Sequence, residues 1–143
     1  MDDQINNEYR HRAMVVDRDP VTRYLVTSLL KRQGYQVFET CKYEAAIQAF
    51  ITLKPSLVFL SQELDGLNGL EIAHFIRGLN SGSYTDIVLH THQLKEGLYL
   101  SVYFPCINHY IRKGDIQALE QIIKEHRANG SAVIGSRKTE LNK

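Results

Sequence analysis

The chain's 143 residues, 43% of them hydrophobic, suffice for one domain around one buried core. A formal net charge of +1, with no long block of either sign, leaves no electrostatic footprint for nucleic acid or a membrane surface. The polar start Met1-Asp2-Asp3-Gln4 lacks the basic and apolar regions of a secretory signal, and no apolar run approaches a membrane span, so a cytoplasmic protein is expected. Cys41 and Cys106 have neither metal-ligand nor Cys-x-x-Cys spacing and read as reduced thiols.

Residues 1–12 and 128–143 read as polar tails around a domain at 13–127. The first strand is expected at Ala13 to Val16. Asp19-Pro20 then offers an N-cap carboxylate and a proline at the first helical position, and Val21, Leu25 and Leu29, widened by Val26 and Leu30, form a helical stripe that Gly34 stops. A strand at Tyr35 to Glu39 precedes a helix at Tyr43 to Leu53 with Ala46, Ile47, Phe50 and Ile51 inward. Lys54-Pro55 ends that helix. Leu57 to Leu60 is almost wholly apolar, as befits a central parallel strand covered on both faces.

After the turn-prone Asp65-Gly66 and Asn68-Gly69, a third helix spans about Leu70 to Leu79, with Leu70, Ala73, Phe75 and Ile76 inward. Ile87 to Thr91 reads as strand four, Leu94 to Tyr103 as a helix, Ile107 to Ile111 as strand five, and Asp115 to His126 as a last helix burying Ile116, Leu119, Ile122 and Ile123. Five successive βα units imply right-handed crossovers and a doubly wound α/β fold: one five-stranded parallel sheet with helices on both faces.

Ligands of such sheets sit beyond the carboxyl ends of the strands, which directs attention to the residues there. Val15-Val16-Asp17-Arg18-Asp19-Pro20 resembles the acidic turn of response-regulator receiver domains, which are CheY-like in fold. Leu60-Ser61-Gln62-Glu63-Leu64-Asp65-Gly66-Leu67-Asn68-Gly69-Leu70-Glu71 is similar to their third strand and the loop after it. Thr91, and Tyr110-Ile111-Arg112-Lys113, match their hydroxyl, aromatic and lysine positions. The resemblance runs from about Ala13 to Arg127 and implies a flavodoxin-like strand order of 2-1-3-4-5.

The departures from that pattern bear on function. Ser61 stands where the family places its phosphoacceptor aspartate, and Arg18 where it places the second acid of a metal-binding pair. Asp65 and Gly114 replace two prolines, whereas Asp17, Thr91 and Lys113 are retained. A serine hydroxyl is neutral and needs a base before it attacks phosphorus, and Arg18 and Lys113 set against Asp17 and Glu63 form a poor cage for Mg²⁺. The sequence therefore reads as a degenerate phosphorylation pocket of Asp17, Arg18, Ser61, Glu63, Thr91 and Lys113, with internal ion pairs in the metal's place and neither metal nor cofactor. The resemblance makes Thr91 and Tyr110 switch positions. Aromatic Tyr99, Tyr103 and Phe104 suggest an interface, with homodimerisation or docking through the fourth helix, fifth strand and last helix. His74, His90, His92 and His109 lack the spacing of a metal site.

Three functional readings follow. The main one is a non-enzymatic pseudo-receiver that signals by phosphorylation-independent contact with protein partners, and with neither nucleic acid nor membrane. The alternative is a receiver that accepts a phosphoryl group on a non-standard acid, Asp65 or Glu63. An FMN carrier on the same topology is disfavoured, since Asp17-Arg18-Asp19-Pro20 replaces the phosphate loop that such a protein needs after its first strand.

Overall fold

From Arg12 to Thr91 the described residues alternate strand and helix, as the sequence pattern requires. The computed structural model describes residues 11–79, 82, 84–92 and 106–129. Its elements are β1 (Arg12–Val16), α1 (Pro20–Arg32), β2 (Gln36–Thr40), α2 (Tyr43–Leu53), β3 (Leu57–Ser61), α3 (Gly69–Arg77), β4 (Asp86–Thr91), β5 (His109–Arg112) and α4 (Ile116–Asn129). The strands form one parallel sheet in the order β2-β1-β3-β4-β5, the doubly wound arrangement expected from the sequence. The helix expected at Leu94 to Tyr103 lies outside the described residues, as do Tyr99, Tyr103 and Phe104.

Alternation along the strands builds two cores. Met14, Val16, Val58, Leu60, Ile87 and Leu89 face α2 and α3, which contribute Phe50, Leu70, Ile72 and Ile76. Ala13, Val15, Leu57, Phe59, Val88 and Ile111 face α1 and α4, which contribute Val26, Leu30, Leu119 and Ile123. Four residues assigned inward by periodicity are instead exposed: Val21, Ile51, Phe75 and Ile116. In α2 the sheet is met by Ala46, Ala49 and Phe50, and in α3 by Leu70, Ile72, Ala73 and Ile76, so each stripe is rotated from the expected one. The last helix also runs three residues beyond His126.

Local chemistry sets the helix starts that frame the sheet's carboxyl edge. The Asp19 carboxylate accepts from Val21 N, Thr22 N and Thr22 Oγ1, capping α1. The Thr22 hydroxyl acts most strongly on the Asp19 carboxyl and, with the two main-chain donors, holds it below its ordinary value against the opposing effect of burial. Asn68 and Glu71 form a reciprocal capping box on α3. Gly69 is required by space, because a Cβ there would stand 2.4 Å from the Ser61 carbonyl oxygen. Gly114 is required by its φ of +98°, a turn that the family's proline could not make.

Candidate functional site

The strand register brings together the residues flagged at the carboxyl edge. Val16 is level with Leu60, Ser61 with His90, and Thr91 with Arg112, so Asp17, Ser61 and Thr91 emerge side by side. Main-chain bonds lock the connecting segments: Asp17 N donates to Thr40 O, Gln62 N to His90 O and Lys113 N to Thr91 O. Arg23 adds a clamp, donating to Asp17 O at 2.7 Å while pairing with Glu39 on β2.

Lys113 reaches into this cluster from the end of β5. Its Nζ lies 2.7 Å from Ser61 Oγ, 3.2 Å from Asp17 Oδ2 and 3.6 Å from Glu63 Oε1. The lysine and Asp17 side chains are 5% and 3% exposed, so their attraction is largely unscreened by water. Arg18 does not join them. It turns outward to Asp65 at 3.1 Å, with the two side chains 57% and 85% exposed.

Glu63 is where the remaining donors converge. Thr91 Oγ1 donates to its Oε2 at 2.6 Å and His92 N to its Oε1 at 3.2 Å. Burial pushes the Glu63 carboxyl up, but the bonds from Thr91 and His92 and the charge of Lys113 outweigh it and leave it below the ordinary value. Glu63 is therefore an ionised carboxylate at neutral pH. Ser61 Oγ sits beneath it, accepting from Glu63 N at 3.2 Å and donating to Glu63 O at 3.4 Å.

The other flagged residues surround this centre. His90 is buried in β4 with its Nε2 unpartnered among the described residues, and burial, aided by the Lys113 charge, lowers it to about 4, which keeps the ring neutral. Tyr110 packs its ring against the core between the sheet, α2 and α3. Its hydroxyl is buried without a hydrogen-bond partner among the described residues, and burial raises it to about 12. His74 lies against Cys106 Sγ at 3.6 Å, and His109 is buried in β5.

A divalent ion of the kind that the resemblance implies does not suit these donors. Mg²⁺ demands near-octahedral oxygen ligands with anionic character. Both Asp17 oxygens face the Lys113 ammonium, and Oδ1 also accepts from Asp19 N. The Asp19 carboxylate is engaged in the helix cap, and that of Glu63 already faces the Lys113 ammonium, whose charge opposes a cation beside it. Among the described residues no group of three or more His, Cys, Asp or Glu is placed to hold a metal ion.

An acidic turn after β1, a hydroxyl after β4 and a buried lysine after β5, all at one edge of a 2-1-3-4-5 sheet, agree with a match to the response regulator receiver domain over residues 13–124. The chain belongs to that family. It is 20% identical over 115 residues to sporulation initiation phosphotransferase F of Bacillus subtilis, covering 80% of this chain and 92% of that protein. It is 32% identical over 68 residues to the DNA-binding response regulator MtrA of Mycolicibacterium smegmatis, covering 48% of this chain but only 30% of MtrA. Among solved structures it resembles the response regulator TrrA of Thermotoga maritima in complex with Mg²⁺ and BeF, at 28% identity and a TM-score of 0.70, covering 80% of this chain and 97% of TrrA. The receiver domain of a Pseudomonas aeruginosa sensor histidine kinase, solved with magnesium in its active-site cleft, superposes with a TM-score of 0.70 at 18% identity, covering 83% of this chain and 98% of that one.

These findings correct the main expectation from the sequence. A phosphotransferase and a receiver complexed with Mg²⁺ and BeF are not the company of a phosphorylation-independent pseudo-receiver, and the reading of the chain as a non-enzymatic adaptor is withdrawn on that ground. Receiver-domain signalling within two-component systems stands. No helix of the described residues is long and apolar enough to cross a membrane.

Proposed function

We propose that this chain is a phosphoryl-accepting receiver whose acceptor is the carboxylate of Glu63. The observation that carries this reading is the convergence on that carboxylate of a hydroxyl, a main-chain N–H and a buried ammonium at the carboxyl edge of the sheet. Asp65, the other acid that the sequence offers, is solvated and bound to Arg18, with none of these donors among its contacts.

In the forward step a Glu63 oxygen attacks the phosphorus of a phosphohistidine or small phosphodonor. The P–N or P–O bond to the leaving group breaks with its electron pair on that group, and an acyl phosphate forms on Glu63. Lys113, the Thr91 hydroxyl and the His92 N–H supply donors for the phosphoryl oxygens as charge gathers. The lowered carboxyl value keeps the nucleophile ionised without a separate base. Attack by water on the acyl phosphate returns the carboxylate and inorganic phosphate. BeF in the TrrA complex is a tetrahedral stand-in for a phosphoryl group, which supports this chemistry on the shared fold. The donor in a signalling pathway would be a histidine-phosphorylated protein, and Tyr110 beside β4 would relay the change towards a partner bound at the β5 edge.

Incubation with acetyl phosphate followed by intact mass tests the reading. One added phosphoryl group that hydroxylamine removes, and that Glu63→Gln abolishes while Asp65→Asn does not, is the expected result. Absence of any adduct, or an adduct that survives Glu63→Gln, overturns it.

A further inference from the structure

Ser61 occupies the end of the central strand, 1% exposed, and all of its hydrogen-bonding capacity is used. A hydroxyl has one donor and two acceptor sites. Here it accepts from Lys113 Nζ at 2.7 Å and from Glu63 N at 3.2 Å, and it donates to Glu63 O at 3.4 Å. The two bonds to residue 63 close a short ring of the kind by which serine fixes a turn two residues on. One hydroxyl therefore ties the backbone of Glu63 to the ammonium that faces its carboxylate.

We propose that Ser61 is the positioning residue of the site, holding Glu63 and Lys113 in a fixed relation so that the carboxylate at 63 is presented in place of an acid at 61. This rests on the reading of Glu63 as the acceptor. The spacing supports it. Lys113 Nζ is nearer to Ser61 and Asp17 than to Glu63, at 2.7 and 3.2 Å against 3.6 Å. Held back in this way, the ammonium stays beside the carboxylate without closing on it as a tight pair, and 32% of the Glu63 side chain stays exposed. Asp65 lies in the same loop but has no comparable tie, and its side chain goes to the surface. The groups facing Glu63 are thus Lys113, Thr91, His92 and, within electrostatic range, His90, with Asp17 on the far side of the lysine.

Ser61→Ala removes the tie, and Ser61→Thr keeps a hydroxyl. The first measurement needs no phosphodonor: the Glu63 carboxyl is titrated by ¹³C NMR in the full chain. In Ser61→Ala its midpoint is expected to rise towards the ordinary carboxylate value as the Thr91 and His92 bonds loosen, and in Ser61→Thr to stay low. The second is the rate of Glu63 phosphorylation by acetyl phosphate. Displacement of a reacting group by about 1 Å slows reaction on the order of 100-fold, so Ser61→Ala should lose maximal rate with little change in the half-saturating donor concentration, and Ser61→Thr should recover it. Urea midpoints verify that both variants fold. A Ser61→Ala protein whose Glu63 titrates as in the wild type, or a Ser61→Thr protein that behaves like Ser61→Ala, overturns the proposal. Failure of the wild type to take up phosphate would sink the acceptor reading alone, because the titration still reports whether Ser61 positions the carboxylate.

Discussion

Lys113→Met should be among the most damaging single changes in the domain, although it preserves side-chain length and apolar packing. The ammonium and the Asp17 carboxylate lie 3.2 Å apart, with 5% and 3% of their side chains exposed. At that separation an effective dielectric of about 20 gives a gross attraction of roughly 5 kcal/mol. Removing the lysine leaves Asp17 buried without its countercharge and strips Ser61 and Glu63 of a shared donor. Breaking a buried pair in this way costs about 3–5 kcal/mol, a large part of the roughly 5–15 kcal/mol that holds a domain folded. With a urea m-value of about 1–3 kcal/mol/M, the midpoint should fall by roughly 2 M. Asp17→Asn removes the stranded charge, so the double variant should be markedly more stable than the sum of the single losses predicts. Equilibrium urea unfolding of the four proteins measures the coupling. A loss below about 1 kcal/mol for Lys113→Met, or strict additivity of the two substitutions, would refute the assignment of this pair as a buried, mutually dependent unit.

Three further outcomes follow from other contacts. His90 has a folded-state value of about 4 against an ordinary 6.5, so the unfolded chain binds more protons in between. Stability complete above pH 6.5 should therefore fall as pH drops towards 4, by about 3 kcal/mol, and His90→Leu should flatten that decline in urea midpoints; an unchanged slope would count against it. Tyr35→Phe removes the hydroxyl 2.5 Å from the Nδ1 of fully buried His126, whose Nε2–H donates to Ser56 O; a loss of about 1–3 kcal/mol in thermal unfolding is expected, and wild-type stability would exclude the bond. Gly114→Ala places a Cβ in open space but forces φ = +98° on an alanine, so it should destabilise by about 1 kcal/mol or more through the backbone alone, and a neutral result in the same assay would mean that the turn relaxes freely.

The fold was readable because its signals are local. Asp19-Pro20 caps a helix wherever it folds, and Leu57 to Leu60 can be buried on both faces only in the middle of a parallel sheet. The helix faces were less readable, since a period of 3.6 residues gives the width of an apolar stripe but not the flank that meets the sheet. Val21 fits the stripe of α1 but sits in its first turn, exposed, whereas polar Thr27 is buried. The register of Asp17, Ser61, Thr91 and Lys113 could be placed by resemblance, but Glu63 could not be ranked above Asp65. Which acid turns inward depends on the loop's backbone, which has no periodicity to read. Pairings across the chain were equally out of reach. Arg77, whose guanidinium fastens the carbonyls of Gly82, Thr85 and Cys106 to Asn108, and the Tyr35–His126 bond across 91 residues carry no local mark.

The outward turn of Arg18 acquires a meaning once the site's charges are counted. Asp17 and Glu63 stand against Lys113, a net charge of about −1 before any modification. A phosphoryl group on Glu63 replaces one carboxylate charge by about −1.5 to −2 at neutral pH, so the modified pocket needs another cation or must expose its charge to water. Family members that hold a divalent ion solve this with the acidic pair at the positions of Asp17 and Arg18. Here the second acid is an arginine, and its present partner is Asp65, in a surface pair of the kind worth about 0–1 kcal/mol. A guanidinium held so weakly, one residue from the buried carboxylate, can leave Asp65 for phosphoryl oxygens at small expense and would bind them in a bidentate manner. With Glu63 as the proposed acceptor, Arg18 would supply part of the positive charge that a metal ion carries in such relatives.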